Sequence, residues 1–281
     1  MEKNERYSRV NYPALRELRK VYKKQGEKFL KYYANKVFEL AENKTLDHIG
    51  VNEAYLIIDT LRLKYENYFI KNSELSDFFS NTQVKDEILE NIIEICKENY
   101  TGKVTSEMNF DIPTDCVKMN GCIHTKSFER SLFFNISYYY NFKKPADFGD
   151  KYATLTVTDG DDVMFIPMLS SKSERSNLYA NDVQGRMLRL VLNMIFYMSA
   201  FPENVLNSPP DEECDKLNKN NSKTISISPT ISEYLHENRD VQPHLRRGHF
   251  RFLGSDHFTK KRGQTIFVKA SFVKGEAKTV I

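Results

Sequence analysis

Apolar positions in the first hundred residues recur at helical spacing. Leu15, Leu18, Tyr22, Phe29, Tyr33, Val37 and Leu40 fall mostly three or four residues apart, with Lys and Glu between them, the signature of one buried helix face. Ala54, Ile57, Ile58, Leu61, Tyr65 and Tyr68 repeat the pattern after Asn52, a suitable cap for a second helix. Val84, Ile88, Ile92 and Ile95 predict a third over residues 83–98. Residues 101–126, interrupted by Gly102, Pro113 and Gly121, predict loop with short helical turns. Residues 127–142, SFERSLFFNISYYYNF, are dense in aromatics, and their periodicity fits strand and helix equally. Residues 152–158 and 163–169 flank Asp159-Gly160-Asp161-Asp162. Asp-Gly supplies the positive φ of a tight turn, so a β-hairpin is predicted there.

Residues 182–198 form the most apolar run, opened by Asn181 or Asp182 and interrupted by Arg189 and Asn193. The run is too short and too interrupted to cross a bilayer. A helix apolar nearly all round belongs inside a domain or at an oligomer interface, and the first is preferred. Residues 207–223 are polar, with paired prolines and an Asn/Lys run, and predict a loop or linker. A short strand is expected at 224–227 and a short helical turn at 232–238.

Two further alternating segments close the chain, 244–253 (HLRRGHFRFL) and 264–273 (QTIFVKASFV). Read as a strand, the first places Leu245, Arg247, His249, Arg251 and Leu253 on one face, with alternate side chains about 7 Å apart. Phe250 and Phe252 share the other face with His244 and Arg246. In the second segment Ile266 and Val268 are expected inward, leaving Lys269 to join the cationic stripe. The loop between them carries His257, Lys260, Lys261 and Arg262.

Charge strengthens this picture. The whole chain of 281 residues carries only +3, yet residues 241–281 hold nine Lys/Arg against Asp256 and Glu276, a local +7 that leaves residues 1–240 at −4. Such asymmetry suggests an anionic partner, or a basic tail that pairs with the acidic remainder of the molecule. Guanidinium groups side by side repel one another, and phosphate relieves the repulsion. A histidine between them titrates near neutrality. His249 and His244 are therefore candidate acid–base residues. Arg246, Arg247, Arg251, His257, Lys260, Lys261, Arg262 and Lys269 are candidate phosphate contacts. Together they form the minimal kit of a metal-independent ribonuclease, and the same residues serve a binding surface without chemistry.

Other chemistries lack their motifs. Cys96, Cys116, Cys122 and Cys214 make no disulfide framework in a chain this long, and the C-x5-C-x-H spacing that ends at His124 fits no usual zinc site. Asp159, Asp161 and Asp162 suit turn chemistry better than calcium. Tyr138, Tyr139 and Tyr140 invite a base-stacking role, with core and rim packing the preferred reading. No nucleotide-binding glycine motif, nucleophile elbow or H-E-x-x-H occurs. No metal or cofactor is expected. The opening MEKNERYSRV has no apolar core of a signal peptide, so a cytoplasmic protein with reduced thiols and no membrane association is expected.

The segment PHLRRGHFR (243–251), its basic loop and TIFVKASFVKG (265–275) resemble a C-terminal pattern of uncharacterised bacteriophage and mobile-element proteins. In that pattern the late strand is often Trp-rich, and Phe267 and Phe272 stand in those places. A distant analogy at fold level links the hairpin to toxin ribonucleases of the barnase, colicin and RelE kind. That analogy would make His249 and His244 the acid–base pair and Arg247, Arg251 and Lys269 the phosphate binders.

The expected architecture is α+β: an N-terminal helical part packed with an antiparallel sheet that includes the C-terminal basic hairpin. Expected regions are 1–106 (helical), 107–206 (mixed, with the hairpin and the buried helix), 207–223 (linker) and 224–281 (basic hairpin completing the sheet). Two function classes remain open. One is a phage or mobile-element protein that binds nucleic acid, RNA favoured, with RNA cleavage as an extension. The other is a non-enzymatic interaction factor, such as an inhibitor of a host defence complex.

Overall fold

The computed structural model describes residues 7–46, 48–62, 65–84, 117–140, 151–167, 182–210, 221–237, 249–254, 258 and 260–268. The helical pattern of residues 15–40 resolves into two helices, α1 (Pro13–Gln25) and α2 (Glu27–Glu42). Gly26 divides them with φ +59°, and its N–H donates to the Tyr22 carbonyl at 2.7 Å, which ends α1 at a left-handed residue. Helix α3 (His48–Arg62) begins ahead of Asn52, which lies inside it rather than capping it. The helical run then breaks. Glu66–Ile70 is a strand, β1, so Tyr68 belongs to a sheet; the short helix α4 (Ser73–Asn81) follows. Val84 is buried, and the remainder of the helix expected over 83–98 lies outside the described residues.

Strands β2 (Val117–His124), β3 (Leu132–Tyr140), β4 (Lys151–Thr158), β5 (Val163–Pro167), β6 (Val205–Leu206) and β7 (Ser222–Ile225) join β1. They form one sheet of order β5-β4-β3-β2-β1-β7-β6. It is mixed, because β1 runs parallel to both β2 and β7 while the other neighbours are antiparallel. The loop expected over 101–126 thus gives way to strand at Val117, and the aromatic segment 127–142 is resolved as strand from Leu132. The β4–β5 hairpin forms as expected. At its tip Gly160 has φ +101°, and the Asp159 carboxylate accepts from the N–H groups of Asp161 and Asp162, both at 3.0 Å. Turn chemistry occupies that carboxylate.

The buried helix α5 (Val183–Ala200) is capped by Asp182, whose side chain accepts from the Gly185 N–H at 2.7 Å. After it come α6 (Pro229–Glu237) and two short strands, β8 (His249–Phe252) and β9 (Thr265–Val268). The architecture is α+β. The C-terminal hairpin forms its own two-stranded antiparallel sheet. Its aromatic side chains pack on the helical layer, so it adds no strand to the large ladder.

Alternation along the strands gives the large sheet two unlike faces. One is apolar: Tyr68, Ile70, Ile123, Phe134, Ile136, Leu155, Val157 and Ile225 pack in one core cluster with α4, α5 and α6 residues. The other bears Cys122 and Phe133, which pack with α1, α2 and α3, alongside the buried polar residues Asn67, His124, Asn135 and Thr156. Within α5 the two polar interruptions have a structural task. The Arg189 Nε–H donates to the Ser80 carbonyl at 2.7 Å, and the Asn193 amide donates to the Phe79 and Thr82 carbonyls, both at 2.8 Å. They satisfy carbonyls at the C-terminus of α4 that have no partner within that helix.

On the polar face, residues 7–12 lie across the ends of β2 and β3 as a strap. The Ser8 N–H donates to the Thr125 carbonyl at 2.7 Å, and the Ser131 N–H to the Arg9 carbonyl at 3.1 Å. His124 is buried there, stacked on Phe69 at 4.6 Å between centroids. Its Nε2 lies 3.0 Å from Asn67 Oδ1 and its Nδ1 2.8 Å from Ser131 Oγ. A proton on Nε2 suits the contact with Asn67 Oδ1, and the Ser131 hydroxyl also donates to the Ser8 carbonyl at 3.0 Å. Nearby, the Asn135 amide donates to buried Asp59 of α3.

Gly121 of β2 sits where a Cβ would fall on the Tyr68 ring and meet Glu66 O and a Phe134 ring carbon, each at 2.9 Å. Gly121→Ala is expected to destabilise the chain by about 1–3 kcal/mol, as overpacking does, measured by urea unfolding.

Burial holds the His124 imidazole down at about 4, against the Ser8 carbonyl that favours the charged ring. Burial pushes the Asp59 carboxyl up to about 7, opposed by the Asn135 hydrogen bond and by Arg62. The unfolded histidine takes up a proton below 6.5 while the folded one waits until about 4, so this group makes stability rise with pH in that window. The folded aspartate keeps its proton to about 7 while the unfolded one sheds it above 3.8, so this group makes stability fall as pH rises. Each slope reaches at most about 1.4 kcal/mol per pH unit, and the two oppose each other between about pH 4 and 6.5. Against the wild-type curve, Asp59→Asn is expected to steepen the rise of stability with pH in this range. His124→Asn is expected to turn the slope downward. Urea titrations at a series of pH values read both slopes; variants that track the wild-type slope would remove these two buried titrations.

Candidate functional site: the C-terminal basic hairpin

Phe250 anchors the hairpin. It is fully buried, and its ring contacts Phe78 (6.4 Å between centroids), Phe196 (6.4 Å), Tyr197 (6.5 Å) and Phe267 (5.4 Å). The β8–β9 register sets Phe250 opposite Phe267 and Arg251 opposite Ile266. Residues opposite one another in an antiparallel pair share a face, so Phe267 points with Phe250 toward the core. It meets Phe78 at 5.6 Å and Tyr234 at 5.3 Å. The face expected for β9 is therefore reversed: Phe267 packs inward, and Ile266 lies with Arg251. Three aromatic rings on α4, α6 and β8 accept a fourth, and that contact decides the orientation.

Arg251 is exposed on the outer face, as expected, with its guanidinium carbon 5.5 Å from the centroid of the Phe258 ring, a cation–π arrangement that leaves its N–H edge outward. Leu253, expected on the same face, is buried instead, since the strand has ended at Phe252. The connecting loop closes on itself. The Leu253 N–H donates to the Gln264 carbonyl at 3.0 Å and the Gly263 N–H to the Leu253 carbonyl at 2.9 Å, with Gly263 at φ +80°. Lys260, Lys261 and Arg262 stand exposed at its tip. Four expected phosphate contacts thus fall on one hairpin and its loop. Position 249 opens β8 opposite Val268; the His249 side chain lies outside the described side chains. His244, Arg246, Arg247, His257 and Lys269 lie outside the described residues.

Chemically distinctive groups elsewhere are enclosed. Cys122 is a fully buried thiol whose pKa burial pushes far up, and Cys96, Cys116 and Cys214 lie outside the described residues. Among the described residues no group of three or more His, Cys, Asp or Glu is arranged to hold a metal ion. No helix there is long and apolar enough to cross a membrane.

No protein-family model matches the chain. No curated protein matches it either. A solved structure titled "Crystal structure of AcrVA2" aligns over 92% of this chain and 92% of its own, with 12% identical residues and a TM-score of 0.37. A superposition that loose transfers neither a fold nor a function.

Phe250→Ala is expected to cost about 3–5 kcal/mol, since it removes a buried aromatic contacted on several sides. Arg251→Ala is expected to stay within about 0.5 kcal/mol of wild type, as exposed positions do. Thermal and urea unfolding distinguish the anchor from the outward cation.

Proposed function

We propose that this protein acts by binding and not by catalysis, as an interaction factor directed at a host defence complex. One observation carries the first half. Among the described residues, the groups whose protonation is strongly displaced, Tyr12, Tyr68, Cys122, Asp59 and His124, are all buried inside the scaffold. The described exposed side chains of the hairpin and its loop include the cations Arg251, Lys260 and Lys261. Such cations recognise anions. The second half, a defence complex as target, is supported by the resemblance of residues 243–251 and 265–275 to phage and mobile-element proteins.

Nucleic-acid binding through the same hairpin is the second reading. Its support is the exposed Arg251, for which no ion pair occurs among the described residues.

The test uses the full chain. Expressed in cells that carry one defined defence system, it should restore phage plating, and the purified chain should co-elute with that system's purified complex. His249→Ala should retain both effects. RNA cleavage by the purified protein that disappears in His249→Ala would overturn the non-catalytic reading, and loss of plating rescue across defence systems would overturn the target.

A further inference from the structure

The basic C-terminus is not the chain's only cationic end. Residues 1–36 hold eleven Lys/Arg against four Asp/Glu, a local +7. With the C-terminal +7 set aside as well, residues 37–240 carry −11. The helices α1 and α2 concentrate this N-terminal charge on solvent-facing stripes. In α1, Lys20, Lys23 and Lys24 are exposed at three- and four-residue steps, while Leu15 is buried on the opposite side. In α2, Lys28, Tyr32 and Lys36 form an i, i+4, i+8 row with about 6 Å of rise between neighbours, and Phe29, Leu30, Ala34 and Val37 are buried behind it. Among the described residues Tyr32 is the most exposed large hydrophobic side chain, at 67%.

Among the described residues, little neutralises these stripes. Lys20 meets Glu17 at 2.9 Å and Lys36 meets Glu39 at 2.8 Å; both are exposed pairs of the kind that contribute little and exchange readily for another anion. Lys23, Lys24 and Lys28 make no ion pair among the described residues.

We infer that the α1–α2 helical hairpin is a docking surface for single-stranded nucleic acid, separate from the C-terminal hairpin. Lysines spaced along two helices match a repeating backbone of negative charge, and an aromatic ring standing in solvent between lysines offers a base a stacking platform. An acidic protein surface would use the charge but has no need of the exposed ring, which is why nucleic acid is the occupant chosen. This inference is independent of the defence-complex reading, and either can fail alone.

The experiment is fluorescence anisotropy of a labelled oligouridylate with the full chain at low salt. The triple variant Lys23→Gln/Lys24→Gln/Lys28→Gln is expected to bind at least about tenfold more weakly, and its slope of log affinity against log salt should be shallower by about 2, at roughly 0.7 per phosphate contact. Tyr32→Ala should lose about fivefold or more with the salt slope unchanged. Lys260→Ala/Lys261→Ala should leave both Tyr32 dependence and the triple-variant loss in place. All the substituted residues are exposed, and coincident melting curves confirm the fold. The proposal is overturned if wild type does not bind, if the triple variant stays within twofold of it, or if polyglutamate binds as tightly and Tyr32→Ala changes neither ligand's affinity. The last result would assign the surface to an acidic protein.

Discussion

Arg189 and Asn193 are the polar interruptions of a helix otherwise apolar nearly all round, and the placement of α4 depends on them. Their donors reach the carbonyls of Phe79, Ser80 and Thr82. Inside a core neither side has an alternative: an unpaired guanidinium or an unpaired peptide carbonyl costs several kcal/mol there. With the end of α4 fixed on α5, Phe79 faces Tyr197 at 5.2 Å and Phe78 reaches Tyr234 at 5.9 Å. Phe250 and Phe267 settle on that aromatic platform. A hydrogen-bond requirement in the buried helix is thus transmitted through α4 to the hairpin that displays Arg251, Lys260 and Lys261.

The opposite side of the sheet is organised by polarity. The face under α1, α2 and α3 buries Asn67, His124, Asn135 and Thr156, and the strap of residues 7–12 closes over one end of it. Asp59 and His124 both take their unusual protonation from this enclosure. Their partners are amides, hydroxyls and carbonyls of the same chain, which is what a satisfied interior requires. The two proposed surfaces lie outside this scaffold, on exposed cations of α1–α2 and of the C-terminal hairpin.

Elements whose local chemistry is unambiguous were legible in the sequence: the β4–β5 hairpin from Asp159-Gly160, the buried α5 with its Asp182 cap, and the C-terminal β8–β9 pair. Strand β1 was hidden because Tyr65 and Tyr68 continue the helical spacing of Leu61, although Tyr68 lies in the sheet. Strand β2 was hidden because Gly121 stands where alternation calls for an apolar residue, and only the structure shows the Tyr68 and Phe134 rings already filling that space. The core side of β9 was ambiguous because both of its faces are apolar; the waiting rings of Phe78, Tyr234 and Phe250 selected Phe267. Of the candidate site, the exposure of Arg251, Lys260, Lys261 and Arg262 followed from the pattern. The charge on α1 and α2 was equally present in the sequence. The −11 of residues 37–240 offsets it in any sum over residues 1–240.

The strap bears on how the chain matures during synthesis. Ser8 is joined to Ser131 across 123 positions, and Asn67 to Asn221 across 154. The apolar side of the α1–α2 hairpin waits for α3 and for Phe133 of β3, and the polar face beneath the strap cannot close until β2 and β3 have been translated. Strand β1, parallel to β7, must wait longer still, with its edge unpaired in the nascent chain. The cationic helices α1 and α2 therefore precede, in order of synthesis, every strand of the sheet they will cover.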